Sequence, residues 1–260
     1  MVFLGVMSNL LDPISVELAD VPVWMREALA IFRRRPALFL VISVVYFFIC
    51  LKLRMSGYLT FMAGLVLCQV FLVIFIALAR TVDESLPVSL NRCYEGLKNS
   101  VATTVVCGCL YVVMWIVAAR LASMMVADDG LVSSTAPPAI DALQWLYPGT
   151  IGLFVVYIGV MITTMWFLLP LTVFHELGPV ESVKLAKRGE QKNFLVVAAA
   201  SYLPFFVFFA IFMFSELALV LAVAGLPMMG IYLYVSYRHV YLGKRENAPE
   251  RVTSVVAETA

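Results

Sequence analysis

Two charged residues stand inside long apolar stretches, and they are the chain's strongest candidates for polar chemistry. Arg120 and Glu216 each lie deep in a segment that otherwise has no charge. A charge in hydrocarbon is costly and usually finds a partner. We therefore expect Arg120 and Glu216 to form an intramembrane ion pair in the outer half of a membrane. That pair could be structural, or it could contact an anionic headgroup or solute; alternatively, each side chain could reach the interface separately.

Signals for other chemistry are missing from the sequence. It contains no phosphate-binding loop, HExxH, GxSxG or paired-carboxylate pattern. Cys107 and Cys109 are two residues apart, so on a helix they point in different directions and cannot share a metal ion. The sequence therefore predicts a protein that is not an enzyme, with no catalytic residue, no metal and no cofactor.

The elements that would position Arg120 and Glu216 are long apolar segments. Of the 260 residues, 63% are hydrophobic and 13% are charged, whereas a soluble domain has about 25% charged residues. Runs of roughly 20 apolar residues are long enough to cross a bilayer, and there they must be helical. The sequence predicts an all-α polytopic membrane protein with six transmembrane helices in three hairpins, at about 36–53, 57–79, 101–126, 148–174, 194–221 and 226–242.

The distribution of cations predicts the orientation of these spans. Of the 18 Lys and Arg residues, 15 lie in the segments 1–35, 80–100, 175–193 and 238–260. Cationic loops stay in the cytoplasm. We therefore expect a multi-pass protein of a bacterial inner membrane, in contact with membrane lipids and not with nucleic acid, with both termini cytoplasmic. The expected topology anchors are Arg33, Arg34, Arg35 and Arg238.

A threefold pattern organises the chain. Pro-Val pairs at 22–23, 87–88 and 179–180 each open about 13 residues of mixed character that precede a predicted hairpin. We interpret each stretch as a cytoplasmic amphipathic helix. The expected apolar faces include Trp24, Ala28 and Ile31 in the first copy and Val180, Val183 and Ala186 in the third. In the middle copy, the clearest of the three, the face is formed by Leu86, Leu90, Tyr94, Leu97 and Val101. The predicted layout is one transmembrane domain, 1–243, with repeats at about 20–80, 85–174 and 177–243, a periplasmic loop at 127–147 and a disordered cytoplasmic tail at 244–260. Pro170 and Pro204 are expected to kink their helices.

Several short motifs carry a resemblance to a known family. They are Phe32-Arg33-Arg34-Arg35-Pro36, Trp166-Phe167-Leu168-Leu169-Pro170, Gly178-Pro179-Val180-Glu181-Ser182 through Asn193-Phe194, and Ser236-Tyr237-Arg238. With them the chain resembles a family of uncharacterised proteobacterial six-helix inner-membrane proteins. That family is distantly like the membrane domain fused to some glycerophosphodiester phosphodiesterases. The family often has Asp after the last Arg, where this chain has His239. The resemblance implies the six-helix fold and implies no catalytic residues.

Three functions remain open at this point. The first is a non-enzymatic accessory or scaffold subunit of a membrane complex, with a protein partner in the inner membrane. The second is a small transporter or lipid-handling protein that uses Arg120 and Glu216. The third is an immunity-type membrane protein, for which only the small size and the polytopic form speak.

Overall fold

The fold is built from α-helices. The computed structural model describes residues 11–55, 58–127, 166–175, 177–201 and 218–243, and all regular structure in these ranges is helical, which confirms the all-α prediction. The helices are α1 (Asp20–Arg34), α2 (Pro36–Met55), α3 (Tyr58–Asp83), α4 (Leu90–Ala127), α5 (Leu168–Phe174), α6 (Pro179–Lys192), α7 (194–201) and α8 (Ala218–Tyr241). Within these ranges, no helix is both long enough and apolar enough to cross a membrane.

The boundary between α1 and α2 follows from one proline. Arg35 leaves the helical region with φ −146° and ψ 59°, because the ring of a following proline clashes with a helical residue before it. Pro36 then begins α2, where its missing N–H is not needed. The sequence predicted this boundary correctly.

The middle Pro-Val copy behaves differently from the other two. Between α6 and α7, Asn193 interrupts the helix with φ −123° and ψ 29°, just as Arg35 does between α1 and α2. In contrast, α4 runs without a break from Leu90 to Ala127. The amphipathic stretch and the apolar stretch of the middle copy are therefore one helix, and the separate amphipathic helix expected there is not found. Of its predicted face, Leu97 packs against the core, but Tyr94 and Val101 are exposed.

The core lies between α3 and α8, which pack against each other and against most of the other described helices. Two glycines allow close approach of the helices. A Cβ atom on Gly230 of α8 would lie 2.5 Å from the Cβ of Phe75 in α3, and one on Gly108 of α4 would lie 2.9 Å from a methyl group of Val66. Any larger residue would force the helices apart at these points.

The amphipathic helices bury only part of the residues predicted for their apolar faces. In α1, Trp24, Ala28 and Ile31 are all buried, as predicted. In α6, Ala186 is buried beside Leu185, but Val180 and Val183 are exposed. The prediction that these three residues of α6 share one face is therefore wrong, because the face that packs inward contains Ser182, Leu185, Ala186 and Gly189.

A proline inside α8 connects this helix to α2. Pro227 has no N–H to donate to the carbonyl of Val223, four residues earlier. The hydroxyl of Ser43 in α2 donates a hydrogen bond to that carbonyl instead. Pro170 lies in the first turn of α5, where its missing N–H costs nothing, and Pro204 lies outside the described residues. The sequence singled out Pro170 and Pro204, whereas Pro227 is the described proline that removes a hydrogen bond from the middle of a helix.

Candidate functional site

The most highly charged buried cluster in the described part of the chain joins α1, α3 and α8. We call it the ion network, and its members are Glu27 of α1, Asp83 of α3, and Tyr234, Arg238 and His239 of α8. Tyr234 and Arg238 are four residues apart and therefore lie on one face of α8. The network ties together three helices that are far apart in sequence.

Arg238 is the centre of the ion network. One terminal nitrogen of its guanidinium donates to Oε2 of Glu27, and the other donates to Oδ2 of Asp83 at 2.6 Å. The side chains of Arg238, Glu27 and Asp83 are 9%, 7% and 15% exposed. Charge-assisted hydrogen bonds of this kind are roughly twice as strong as neutral ones. One buried cation thus holds two carboxylates from two different helices.

Further side chains donate hydrogen bonds to Glu27 and Asp83. His239 Nε2 lies 2.8 Å from Oε2 of Glu27; since an ionised carboxylate only accepts hydrogen bonds, this nitrogen carries the hydrogen. The hydroxyl of Tyr234 donates to Oδ2 of Asp83 at 2.8 Å. The exposed Arg34 donates to the backbone carbonyl of Asp83 at 3.3 Å, and its guanidinium is 3.9 Å from the Asp83 carboxylate.

The electrostatics favour the ionised form of Glu27. Burial raises the pKa of this carboxyl, but the hydrogen bond and charge of His239 and the charge and hydrogen bond of Arg238 together outweigh burial. The pKa of Glu27 is therefore held below its ordinary value. Glu27 is therefore ionised at neutral pH, and it pairs with the guanidinium of Arg238 at the centre of the ion network.

A second polar cluster fixes the segment that precedes α1. Asn193, at the end of α6, accepts a hydrogen bond from the backbone N–H of Val16 at 2.8 Å and donates to the carbonyl of Ile14 at 3.0 Å. Lys192 donates to the carbonyl of Pro13 at 2.6 Å. The N–H of Ile14 also donates to the carbonyl of Val240 at 2.7 Å. These bonds strap residues 13–16 across the ends of α6 and α8.

Glu190 of α6 is a carboxyl in a different environment from Glu27. Burial raises its pKa to about 8, although the backbone N–H groups of Trp166 and Phe167 and the charge of Lys187 act in the opposite direction. Its Oε1 atom is buried and has no hydrogen-bond partner among the described residues. Close to neutral pH, Glu190 is therefore largely protonated in the folded chain.

The ion network is suited to holding helices together more than to chemistry on a substrate. Its central groups are buried, and their charges are used in bonds to one another. In the ranges that the structure describes, no three His, Cys, Asp or Glu side chains are arranged to hold a metal ion. Cys107 is buried and Cys109 is exposed.

The structure locates some of the residues singled out in the sequence and not others. Arg120 belongs to α4, but its side chain lies outside what the structure describes, as does the whole of Glu216; their pairing stays a prediction. The exposed residues Arg33, Arg34 and Arg35 lie at the junction of α1 and α2. Arg238 is buried in the ion network. The loop 127–147 and the tail 244–260, apart from Ala127, also lie outside the described residues.

Sequence reasoning missed Glu27 as a member of the site, although a signal for it exists. Glu27 falls on the helical stripe formed by Trp24, Ala28 and Ile31, all of which are buried. Acidic residues are almost never buried unless they are paired. An acidic residue in an otherwise apolar stripe therefore indicates a buried cation elsewhere in the chain.

Comparison of the chain with protein-family models, curated proteins and solved structures gives no match.

Proposed function

We propose that the chain is a non-enzymatic, multi-pass protein of a bacterial inner membrane that serves as an accessory or scaffold subunit of a membrane complex. The proposal places six transmembrane helices in three hairpins, with both termini in the cytoplasm and α1 and α6 at the cytoplasmic surface. Since no described helix by itself meets the requirements for a span, membrane insertion needs its own test.

The observation that carries the proposal is the apolar outer face of α2. Val41, Val44, Val45 and Phe48 follow one another at helical spacing on the exposed side, with Val41 63% exposed. The opposite side of α2 is also apolar and packs inward through Phe39. A helix that is apolar all round belongs either in the core of a large protein or in a membrane. The outer face of α2 is therefore best satisfied by lipid tails.

The outer face of α4 is also apolar, and it includes the exposed residues Ala102 and Cys109, which are smaller than any of the four side chains named on the α2 face. Val101, Val105, Cys109 and Val113 recur at steps of four on its exposed side. Small side chains allow the backbone of a second helix to come close, which favours association of helices in membranes. We assign this face to a protein partner and the bulkier face of α2 to lipid.

The ion network supports a structural role over an enzymatic one. Its buried cation, Arg238, is hydrogen-bonded to both carboxylates, and Glu27 is also hydrogen-bonded to His239. Arg238, Glu27 and Asp83 would then fix how α1, α3 and α8 meet at the cytoplasmic side. We therefore assign the ion network to holding these helices together.

Affinity purification from native membranes in mild detergent tests the accessory role. We expect a stoichiometric protein partner that is lost in Val105→Phe, because a larger side chain on the α4 face would separate closely packed helices. The matched control is Val41→Phe on α2, which fluid lipid should tolerate and which should retain the partner. Purification of the chain without any partner, or equal retention by both variants, would contradict the assignment of the α4 face.

Reporter fusions test the orientation. A reporter that is active only in the cytoplasm should work after residue 260 and fail when inserted in the loop 127–147. A reporter that requires export should show the opposite pattern. The reverse outcome at either position would refute the proposed topology.

A further inference from the structure

One face of α6 combines exposed cations with exposed apolar residues. We call it the basic face of α6, and it consists of Val180, Val183, Lys184, Lys187 and Arg188. All five residues are exposed, with Val180 67% and Val183 50% exposed. They occupy one side of the helix, opposite the buried residues Ser182, Leu185, Ala186 and Gly189. α6 therefore presents a mixed surface away from the core.

The cations of this face are not paired within the described part of the chain. None of Lys184, Lys187 and Arg188 forms an ion pair with a described carboxylate. The charge of Lys187 acts to lower the pKa of Glu190. Glu181, three residues before Lys184, is the one exposed acidic residue on α6, so the three cations of this face outnumber it. A partner for the basic face would therefore have to be anionic.

The residues that follow α6 are also suited to an apolar medium. Phe194 and Leu195 begin α7, and they are 62% and 69% exposed. A helix that carries cations and exposed valines, followed at once by large exposed apolar residues, matches the composition of helices that lie at the surface of a bilayer. A partner that covers this whole surface therefore needs negative charge beside α6 and an apolar region beside Phe194 and Leu195.

We propose that the basic face of α6 binds the headgroups of anionic phospholipids in the cytoplasmic leaflet. Lys184, Lys187 and Arg188 would contact the lipid phosphates, while Val180, Val183, Phe194 and Leu195 would lie against the acyl chains. An acidic protein segment would match the cations but would not account for Phe194 and Leu195. This inference rests on the proposed membrane location and adds a lipid class and a site to it.

Lipid titration of the purified full-length protein in detergent, followed by native mass spectrometry, tests the site. The probes are phosphatidylglycerol and phosphatidylcholine with identical acyl chains. We expect the wild type to prefer phosphatidylglycerol. Each cation near an anionic lipid surface contributes about fivefold in affinity, so Lys184→Gln with Lys187→Gln should weaken phosphatidylglycerol binding about 25-fold and leave phosphatidylcholine binding unchanged.

The matched control removes two exposed cations from other helices. Arg26→Gln with Lys98→Gln lowers the net charge by the same amount outside α6 and should change phosphatidylglycerol binding less than threefold. Equal losses in both double variants, or no preference for phosphatidylglycerol in the wild type, would overturn the proposed site. So would capture of an acidic protein by the basic face in place of lipid.

The two proposals fail in different ways. A chain that alkaline carbonate removes from membranes refutes the membrane location itself. A chain that stays in the membrane but binds both lipids equally refutes only the lipid site on α6.

Discussion

Replacing Arg238 should destabilise the fold more than any other single change in the ion network. Arg238→Met keeps most of the side-chain volume but removes the cation between Glu27 and Asp83, which are 7% and 15% exposed. Breaking a buried ion pair by removing one partner costs about 3–5 kcal/mol, because the remaining charge is left buried and unpaired. Here two carboxylates lose their shared cation. Glu27 keeps its hydrogen bond to His239, and Asp83 keeps its hydrogen bond to Tyr234 and the more distant Arg34 guanidinium at 3.9 Å. We expect a loss of about 4 kcal/mol in the free energy of unfolding.

The partner variant Glu27→Gln should cost less. Asp83 still holds Arg238 at 2.6 Å, and the amide oxygen of Gln can still accept a hydrogen bond from His239. We expect a loss of about 1–3 kcal/mol. On the Arg238→Met background, Glu27→Gln should recover stability, because it removes one of the two stranded carboxylates.

The assay is reversible unfolding of the purified protein in detergent micelles at pH 7.5, followed by tryptophan fluorescence. The matched control is Arg80→Gln, which breaks the exposed pair between Arg80 and Glu84 at 3.0 Å and should cost less than about 1 kcal/mol. If Arg238→Met unfolds as easily as Arg80→Gln, or if Glu27→Gln destabilises the Arg238→Met protein further, the ion network does not hold the helices together.

Three further changes test the packing and the buried polar groups. Gly230→Ala should destabilise the fold by about 1–3 kcal/mol by overpacking, because the new Cβ atom would lie 2.5 Å from the Cβ of Phe75. The control is Gly178→Ala, where an added Cβ atom would have no neighbour within 4 Å. Ser43→Ala should lower the free energy of unfolding by about 1–3 kcal/mol, because it leaves the carbonyl of Val223 unpaired. Adding Pro227→Ala to that variant should recover the stability, because it restores an N–H that can donate to this carbonyl. If unfolding experiments show no recovery, Ser43 does not substitute for the missing N–H. The pKa of Glu190 is about 8 in the folded chain and near 4.5 when unfolded, so the folded state binds more protons between these values and stability should fall as pH rises through that window. Glu190→Gln should flatten the pH dependence of the unfolding midpoint there, and an unchanged slope would show that Glu190 is not buried as described.

Local rules were sufficient where neighbouring residues decide the conformation. Pro36 alone dictates that Arg35 leaves the helix, and the 3.6-residue period places Trp24, Ala28 and Ile31 on the buried face of α1. The same rules failed for the middle repeat, where a Pro-Val pair suggested a separate helix. There, the hydroxyl of Ser100 donates to the carbonyl of Gly96, four residues earlier, at 2.7 Å, a bond made within a continuous α4.

Long-range pairing could not be read from the sequence. The bond between Arg238 and Glu27 spans 211 positions, and no local pattern says which cation meets which carboxylate. The break at Asn193 is similar, since its side chain binds the backbone of Ile14 and Val16. The exposure of Val180 and Val183 also depends on tertiary contacts, because α6 packs inward through a face lined by Ser182, Ala186 and Gly189. Apart from Leu185, the residues of this face are small and carry little hydrophobic signal, so the periodicity pointed to Val180 and Val183 instead.

The central claim is that this chain resides in a membrane, and extraction with alkaline carbonate tests it most directly. Cells expressing the protein are broken, and their membranes are washed with carbonate at high pH, which removes peripheral proteins and leaves inserted ones. We expect the full-length chain to stay in the membrane pellet after this wash and to enter solution only with detergent. Recovery of the chain in the carbonate supernatant would contradict the six-span proposal and the lipid site on α6 together.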